Sequence, residues 1–230
     1  MALLVMLSGV AMAQVQSGHV YRIVSGKYGT VITESLVEHT LSCVAKGGDT
    51  DYQQMWEFTQ NEKGKYVISN VLTRRILQNE SGTNVAFKTG TDSVFFAVKE
   101  NTDPVCKGYY NIDASSAAKG WGLHCASGAT VVPWSYGPDK DGVSGTEWLF
   151  EEVSITEAQK EAAYAEYQAY NDVLENKDAI IAKVNGLFSD KAGTTLKAEY
   201  AKKTNDQIRE LLKDVPEDLV NAVLKVKNNT

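Results

Sequence analysis

A repeating aromatic pattern is the feature that most constrains how this chain of 230 residues can fold. Tyr21, Tyr66 and Tyr110 each open a short apolar stretch, and they lie 45 and then 44 residues apart. A second aromatic motif closes each interval, at residues 56–58, 96–98 and 148–150. Short apolar stretches between these positions predict four strands per copy. A unit of this size cannot bury its apolar face alone, so the three copies are predicted to share one core.

Three copies of four strands resemble a β-trefoil, and the first copy carries a more specific likeness. Gln54-Met55-Trp56 resembles the Gln-x-Trp signature of the ricin-B-type lectin branch of that fold. The other two copies keep only the aromatic residue, with Val94 and Thr146 where Gln54 stands. The resemblance covers residues 18–153 and implies a carbohydrate-binding β-trefoil, which we place at residues 14–153.

The composition changes abruptly after Val153, where Gly becomes scarce and Ala, Glu, Lys and Leu dominate. Thr156 and Gln159 have the spacing of a capping box, and apolar residues then recur at helical intervals. The predicted helices are a first one of roughly 20 residues or more that can continue to Phe188, a short one at 196–201, one capped by Asn205, and one after Pro216. The fold expected is an all-β trefoil of three four-strand repeats, followed by a small α-helical domain at 154–230.

The first residues are almost wholly apolar and lead into Ala11-Met12-Ala13, a small-x-small cleavage pattern. Residues 1–13 are therefore interpreted as a secretory signal peptide, and a secreted, periplasmic or cell-surface location is expected. No Lys or Arg precedes the apolar run, so a longer signal, a weak anchor and a core helix stay open as alternatives. The run is shorter than the ~20 apolar residues of a membrane span, so no span is expected.

Charge and motif content exclude several classes of function. The formal net charge is −6 and the isoelectric point about 5.2, without a Lys/Arg cluster that could neutralise phosphates, so nucleic acid is not an expected partner. The three histidines are scattered, and there is no nucleophile elbow or phosphate-binding Gly loop. We expect no enzyme activity, no cofactor and no metal site.

The chain has three cysteines, an odd number. Export would place them in an oxidising compartment, where disulfides form. Cys106 and Cys125 flank the first hairpin of the third copy, and a bridge between them is expected. Cys43 lies in an apolar stretch and is expected to be a buried thiol.

The resemblance also implies where a sugar would bind. Sites of the ricin type are implied to use an acidic residue just after the first strand of a copy and an aromatic platform on the third strand. Asp113 and Trp134 occupy those positions in the third copy. The corresponding residues are Val24 and Val44 in the first copy, and Ser69 and Lys88 in the second. Only the third copy is therefore predicted to bind.

Further polar and aromatic residues crowd the same copy, in turn-rich sequence that is expected to be exposed. The candidate ligand-binding residues are Asp113, Trp134, Trp121, His124 and Tyr136. An alternative is purely structural. In it, Trp121 and Trp134 cap the barrel, and Asp113 accepts a hydrogen bond from the backbone of the turn that follows it.

The expected function is a secreted, non-catalytic carbohydrate-binding module whose partner is a glycan. The last apolar helical stripe runs almost to Thr230 without a Gly or Pro stop, so the module is expected to be the N-terminal part of a larger glycan-directed protein. A downstream catalytic domain, such as a glycosidase or a mucin-directed peptidase, would then lie in the same polypeptide. The alternative is a protein-binding β-trefoil of the inhibitor or adhesin type, in which the exposed Trp cluster docks on a protein.

Overall fold

The computed structural model of the chain describes residues 15–79, 87–113, 121–135 and 142–229. The chain divides into two compact units between Tyr164 and Ala165. The last strand ends at Glu152 and the first helix begins at Glu157, so the change in composition does mark the change from strands to helices. The predicted domain bounds themselves stay predictions.

Within the described residues, the first unit contains twelve strands. They are β1 (His19–Ser25), β2 (Val31–Glu34), β3 (Leu41–Val44), β4 (Trp56–Gln60), β5 (Tyr66–Asn70), β6 (Ile76–Gln78), β7 (Lys88–Gly90), β8 (Ala97–Glu100), β9 (Tyr110–Asp113), β10 (Trp121–Ala126), β11 (Thr130–Ser135) and β12 (Trp148–Glu152). Every pairing between these strands is antiparallel.

The strand pairings close into a barrel. β1 pairs with β4, β4 with β5, β8 with β9, β9 with β12, and β12 with β1. A bridge between Tyr66 and Phe96 joins β5 to the start of β8 and completes the ring. Inside it, Tyr21, Phe58 and Phe150 meet edge to face, with ring centroids 5.3 to 5.9 Å apart. Edge-to-face packing suits rings whose faces are negative and edges positive, so the barrel is filled by aromatic side chains.

Three hairpins, β2–β3, β6–β7 and β10–β11, stand beside the ring and meet one another. Ser42 on β3 pairs with Thr130 on β11. Phe87, just before β7, donates its N–H to the Val131 carbonyl at 2.9 Å and accepts from Leu41 N–H at 3.1 Å. These contacts join the three hairpins, which we call the cap. Each hairpin is therefore held in place by contacts with the other two.

The helices of the C-terminal region are α1 (Glu157–Glu175), α2 (Lys177–Asn185), α3 (Ala198–Ala201), α4 (Asn205–Leu211) and α5 (Glu217–Asn228). The predicted capping box of α1 is confirmed, because Thr156 Oγ1 accepts from Gln159 N–H at 3.2 Å and Gln159 Oε1 accepts from Thr156 N–H at 2.9 Å. The predicted cap of α4 is wrong by one residue. Thr204 caps that helix and forms a capping box with Gln207.

The second compact unit has its own apolar core. It consists of residues from α2, α4, α5 and the segments between them, namely Ile180, Leu187, Leu196, Ile208, Leu212, Val215, Val220, Val223 and Leu224. In the described part of the chain, no helix has the length and apolar character needed to cross a membrane.

The predicted bridge between Cys106 and Cys125 is wrong, because all three cysteines are free and buried. Cys106 ends a 3₁₀ turn before β9 and has Glu147 and Asp103 as its charged neighbours. The Cys125 thiol lies in the same apolar core as Cys43 and has that thiol as a neighbour instead. Cys43 is a buried thiol, as predicted.

Candidate functional site

Strand register places Asp113, Gly122 and Trp134 in one row across β9, β10 and β11. Asp113 pairs with Gly122, and Gly122 pairs with Trp134. Residues directly opposite each other in antiparallel strands project from the same face of the sheet. Neighbouring strands lie about 4.8 Å apart, so the carboxylate and the indole leave the backbone about 10 Å apart, and the residue between them in the row is a glycine. We call these three residues the site row.

The indole of the site row is exposed and backed by a second ring. Trp134 is 48% exposed. His124 lies two residues along β10 from Gly122, and its ring stacks on Trp134 with centroids 5.7 Å apart and planes inclined by 29°. Leu123, between Gly122 and His124, is fully buried in the core. The alternation of strand faces therefore sets His124 beside Trp134 and limits how the indole can turn.

The Asp113 carboxylate of the site row forms an ion pair with a lysine on the neighbouring strand, β8. Lys99 on β8 places its Nζ 2.6 Å from Asp113 Oδ2, and the two side chains are 66% and 25% exposed. Asn111, two residues before Asp113, donates its Nδ2–H to the Thr146 carbonyl at 3.0 Å. A carboxylate offers about four acceptor positions, so it can accept several hydrogen bonds at once. Asp113 is thus a positioned acceptor at one end of the row.

The first copy has a matching row of different chemistry. Val24 pairs with Val31, and Val31 pairs with Val44. This row has no carboxylate and no ring, and its middle residue is a branched, fully buried valine. It cannot accept a hydroxyl hydrogen bond through a side chain.

In the second copy the matching row is Ser69, Ile76 and Gly90. The sequence predicts Lys88 at the position that corresponds to Trp134, and this prediction is wrong by two residues, because Gly90 lies there. Lys88 pairs with Gln78 at the other end of β6. The register is set by strand pairing, and the number of residues between strands differs among the copies. Counting residues from the opening tyrosine, Tyr66, therefore does not find the residue that corresponds to Trp134. Like the first row, this one lacks both a carboxylate and an aromatic ring.

For the remaining two predicted site residues, the structure does not describe the side chain. Trp121 is the first residue of β10 and pairs with Ser135, but its side chain lies outside what the structure describes. Tyr136 lies outside the described residues altogether. The candidate site therefore consists of Asp113, His124 and Trp134, together with Gly122 and Lys99, which were not predicted from the sequence. Neither of those two has a local signal, because each reaches the site only through pairing with another strand.

The Gln-x-Trp motif of the first copy is structural in its contacts. The Gln54 side chain accepts from Gly47 N–H at 2.8 Å and donates to the Ala45 carbonyl at 3.1 Å. The Trp56 indole N–H donates to the Ile32 carbonyl at 3.1 Å. Both residues are buried, and Gln54 holds the loop between β3 and β4 while Trp56 is bonded to β2, so neither forms a binding surface.

Ionisable side chains elsewhere in the first unit are engaged in structural hydrogen bonds. Glu147 is fully buried, where it accepts from the Ser144 N–H at 2.8 Å and from the hydroxyls of Ser144 and Thr146 at 2.6 and 3.0 Å. Among the described residues, no group of three or more His, Cys, Asp or Glu side chains could hold a metal ion.

Comparison with known proteins identifies the fold. No protein-family model matches the chain, and no curated protein matches it in sequence. Similar solved structures include a ricin B-like lectin from Macrolepiota procera in complex with lactose, with 16% identity, 60% of this chain and 99% of that chain covered, and a TM-score of 0.50. The Rhizoctonia solani agglutinin has 16% identity, with 61% and 99% covered and a TM-score of 0.48.

An endo-β-galactosidase from Clostridium perfringens that releases GlcNAcα1-4Gal is also similar over part of its length. Its identity is 12%, with 59% of this chain and 33% of that chain covered, and its TM-score is 0.47. The closed ring of strands, the cap of three hairpins and the similarity to the Macrolepiota lectin agree with one another. The strand-built part of this chain has the β-trefoil fold of ricin B-like lectins, and a helical region follows it.

Proposed function

We propose that the first unit is a non-catalytic carbohydrate-binding module and that the site row of Asp113, Gly122 and Trp134 is its sugar site. The observation that carries this proposal is the register that sets a carboxylate and an exposed indole on one face with a glycine between them. The fold supports the choice of ligand class, because the similar Macrolepiota lectin was solved with lactose.

The row matches the chemistry of a pyranose ring. One carboxylate accepts hydrogen bonds from two neighbouring hydroxyls, and bonds to a charged acceptor are roughly twice as strong as neutral ones. An indole face covers the apolar C–H side of the sugar. Gly122 leaves the space between them without a side chain, whereas Val31 and Ile76 occupy it in the other two rows. A single monosaccharide unit would therefore lie over β10, between β9 and β11.

We further propose that the three four-strand sets are copies of one structural unit and that the helices form a domain of their own. Matching turns support the repeat. Ser25 N–H bonds the Thr30 carbonyl at 2.8 Å, and 45 residues later Asn70 N–H bonds the Arg75 carbonyl at 2.9 Å. The fifth residue of each turn has a positive φ, 67° at Gly29 and 57° at Arg74.

Export of the protein is part of the same proposal, and it rests on the apolar run and the cleavage pattern at Ala11-Met12-Ala13. Amino-terminal sequencing of protein recovered outside the cytoplasm should begin at Gln14. Recovery of the chain only with its first thirteen residues attached would contradict export by this signal.

The sugar site is tested by calorimetric titration with a panel of mono- and oligosaccharides. Trp134→Ala should weaken binding by on the order of 1 to 3 kcal/mol, because stacking area and water exclusion are lost together. Its matched control is Val44→Ala, at the same register position in the first row and 40% exposed, which should leave affinity unchanged. Undiminished binding by Trp134→Ala would move the site elsewhere.

Two further variants separate the carboxylate from its ion pair. Asp113→Asn removes the charge and should weaken binding, since charge-assisted bonds to hydroxyls are lost. Lys99→Ala breaks the same ion pair but keeps the carboxylate, so it should bind at least as well as the parent chain. If both variants lose binding equally, the ion pair and not the acceptor is what matters. If the parent chain binds no glycan, the protein-binding alternative takes precedence.

A further inference from the structure

Two of the three cysteines lie against each other in the core of the first unit. Cys43 on β3 and Cys125 on β10 are both buried in the same apolar core, where each thiol is close enough to shift the pKa of the other. The two come from the first and third four-strand sets, 82 residues apart in sequence. Cys43 N–H donates to the Ala129 carbonyl at 2.6 Å, and the adjacent Ser42 pairs with Thr130. The backbone on both sides therefore holds the thiols together.

The two sulfurs have different surroundings. The Cys125 sulfur lies 3.9 Å from Thr30 Oγ1, and Cys43, Ser25 and the Gly128 N–H are its other polar neighbours. The thiol of Cys43 and these other donors lower the pKa of Cys125 to about 7, although burial opposes them. The pKa of Cys43 is raised, because the neighbouring Cys125 and burial both favour the neutral thiol. Cys125 is thus the nucleophile of the pair and Cys43 the thiol that resolves it.

We propose that Cys43 and Cys125 are an oxidisable pair that closes to a disulfide between β3 and β10, while Cys106 stays a thiol. The oxidant is a small-molecule disulfide such as oxidised glutathione. The Cys125 thiolate attacks one sulfur of the oxidant and releases one glutathione thiolate. The Cys43 thiol then loses its proton and attacks the Cys125 sulfur of the mixed disulfide, which releases the second glutathione. Two protein thiols are oxidised, and one glutathione disulfide is reduced.

The disulfide would form while the core is locally open. Sulfur atoms in a disulfide are about 2 Å apart, so the two sulfurs must come closer than two thiols in contact. Both thiols are shielded from solvent, and exchange with a small molecule needs folding intermediates or local opening. Once formed, the bond closes a loop that contains β4, the whole second four-strand set and the first half of the third. It would join the two hairpins that already touch at Ser42 and Thr130.

The test is a disulfide map of the full chain. The unfolded chain is refolded in a mixture of reduced and oxidised glutathione, alkylated, and digested without reduction for mass spectrometry. We expect one linked peptide pair that contains Cys43 and Cys125, with alkylated Cys106, and a thiol titre that falls from three to one per chain. A linkage that involves Cys106, or three thiols remaining after refolding, would overturn the proposal.

Variants assign the sulfurs independently of that map. Cys106→Ser should keep the linked pair, and its thiol titre should fall from two to zero. Cys43→Ser should stop at a mixed disulfide between Cys125 and glutathione, which reduction removes. If Cys43→Ser does not fold, Cys106→Ser still decides the question, because a persistent titre of two thiols in that folded variant contradicts the cross-link.

Discussion

The Glu34 carboxylate lies inside the first unit, and the residue is only 2% exposed to solvent. The hydroxyls of Thr73 and Thr89 donate to it at 2.7 and 2.5 Å, and His39 Nδ1 lies 3.0 Å away. Arg75 Nε is 4.0 Å from the same carboxylate. Burial raises the pKa of Glu34 above 4.5 and outweighs these hydrogen bonds, which lower it. The folded protein therefore holds a proton on Glu34 more tightly than the unfolded chain does.

This difference predicts the sign of a pH effect. A raised folded-state pKa gives stability that is complete below the unfolded value and is lost as the pH rises through the folded value. The free energy of unfolding of the parent chain, relative to Glu34→Gln, should therefore fall as the pH is raised from below 4.5. Urea unfolding of both proteins across that range measures the difference. Glu38→Gln, an exposed neighbour on the same hairpin, controls for net charge, and a parent-minus-variant difference that rises with pH would contradict the prediction.

At the scale of single elements, one indole is hydrogen-bonded to the hairpin that carries the proposed sugar site. Leu123 on β10 faces Pro133 on β11, and a proline has no N–H to donate. The Trp148 indole N–H donates to the Leu123 carbonyl at 2.9 Å. The first copy has the same arrangement, since Cys43 opposite Ile32 gives its N–H to Ala129, and Trp56 bonds the Ile32 carbonyl. Each tryptophan thus donates an indole N–H to a backbone carbonyl that receives no N–H from the residue opposite it on the paired strand.

Trp148→Phe and Trp56→Phe should therefore destabilise the chain by similar amounts. Each leaves a buried carbonyl without its indole donor, which costs about 1–3 kcal/mol. Chemical denaturation followed by circular dichroism measures both. A neutral effect of Trp148→Phe beside a large effect of Trp56→Phe would show that the two indoles are not equivalent.

How far the sequence predicts these elements depends on whether the signal is local. The tyrosine spacing located β5 and β9, and the capping box located α1, because each pattern is set by neighbouring residues. Asp113 and Trp134 were predicted from the resemblance to ricin-type lectins, which implies a site position just after one strand and another on a later strand. Gly122 and Lys99 could not be predicted, and Lys88 was misplaced, because strand register depends on pairing between segments that are distant in sequence.

For the whole molecule, the division at Tyr164 has a physical basis within the first unit. Lys160 Nζ donates to Glu57 Oε2 at 3.2 Å, and Arg74 Nη2 lies 2.6 Å from Glu161 Oε1. The Arg74 guanidinium also lies 4.1 Å from the centroid of the Tyr164 ring. The first two turns of α1 are thus packed on the trefoil, although composition alone places the change at Val153.

A fragment that ends at Tyr164 should therefore be more stable than one that ends at Val153. The shorter fragment loses a cation–π contact, one partly buried ion pair and one exposed ion pair, which together contribute on the order of 1 to 2 kcal/mol. Urea unfolding followed by tryptophan fluorescence compares the two. Arg74→Ala in the longer fragment should remove part of the advantage. Equal stability of the two fragments would place α1 outside the trefoil.

The antiparallel pairing of β1 with β12 also determines how the trefoil responds to force. The chain enters the barrel beside the point where it leaves, and His19 Nδ1 lies 2.6 Å from Glu152 Oε1. Tension on the two ends would load the pair Tyr21–Glu152 first and Ser25–Trp148 last, so the hydrogen bonds break one after another. Bonds that break in turn share little of the load. The barrel is therefore mechanically weak along this direction, and a chain that is pulled by its two ends would open between β1 and β12.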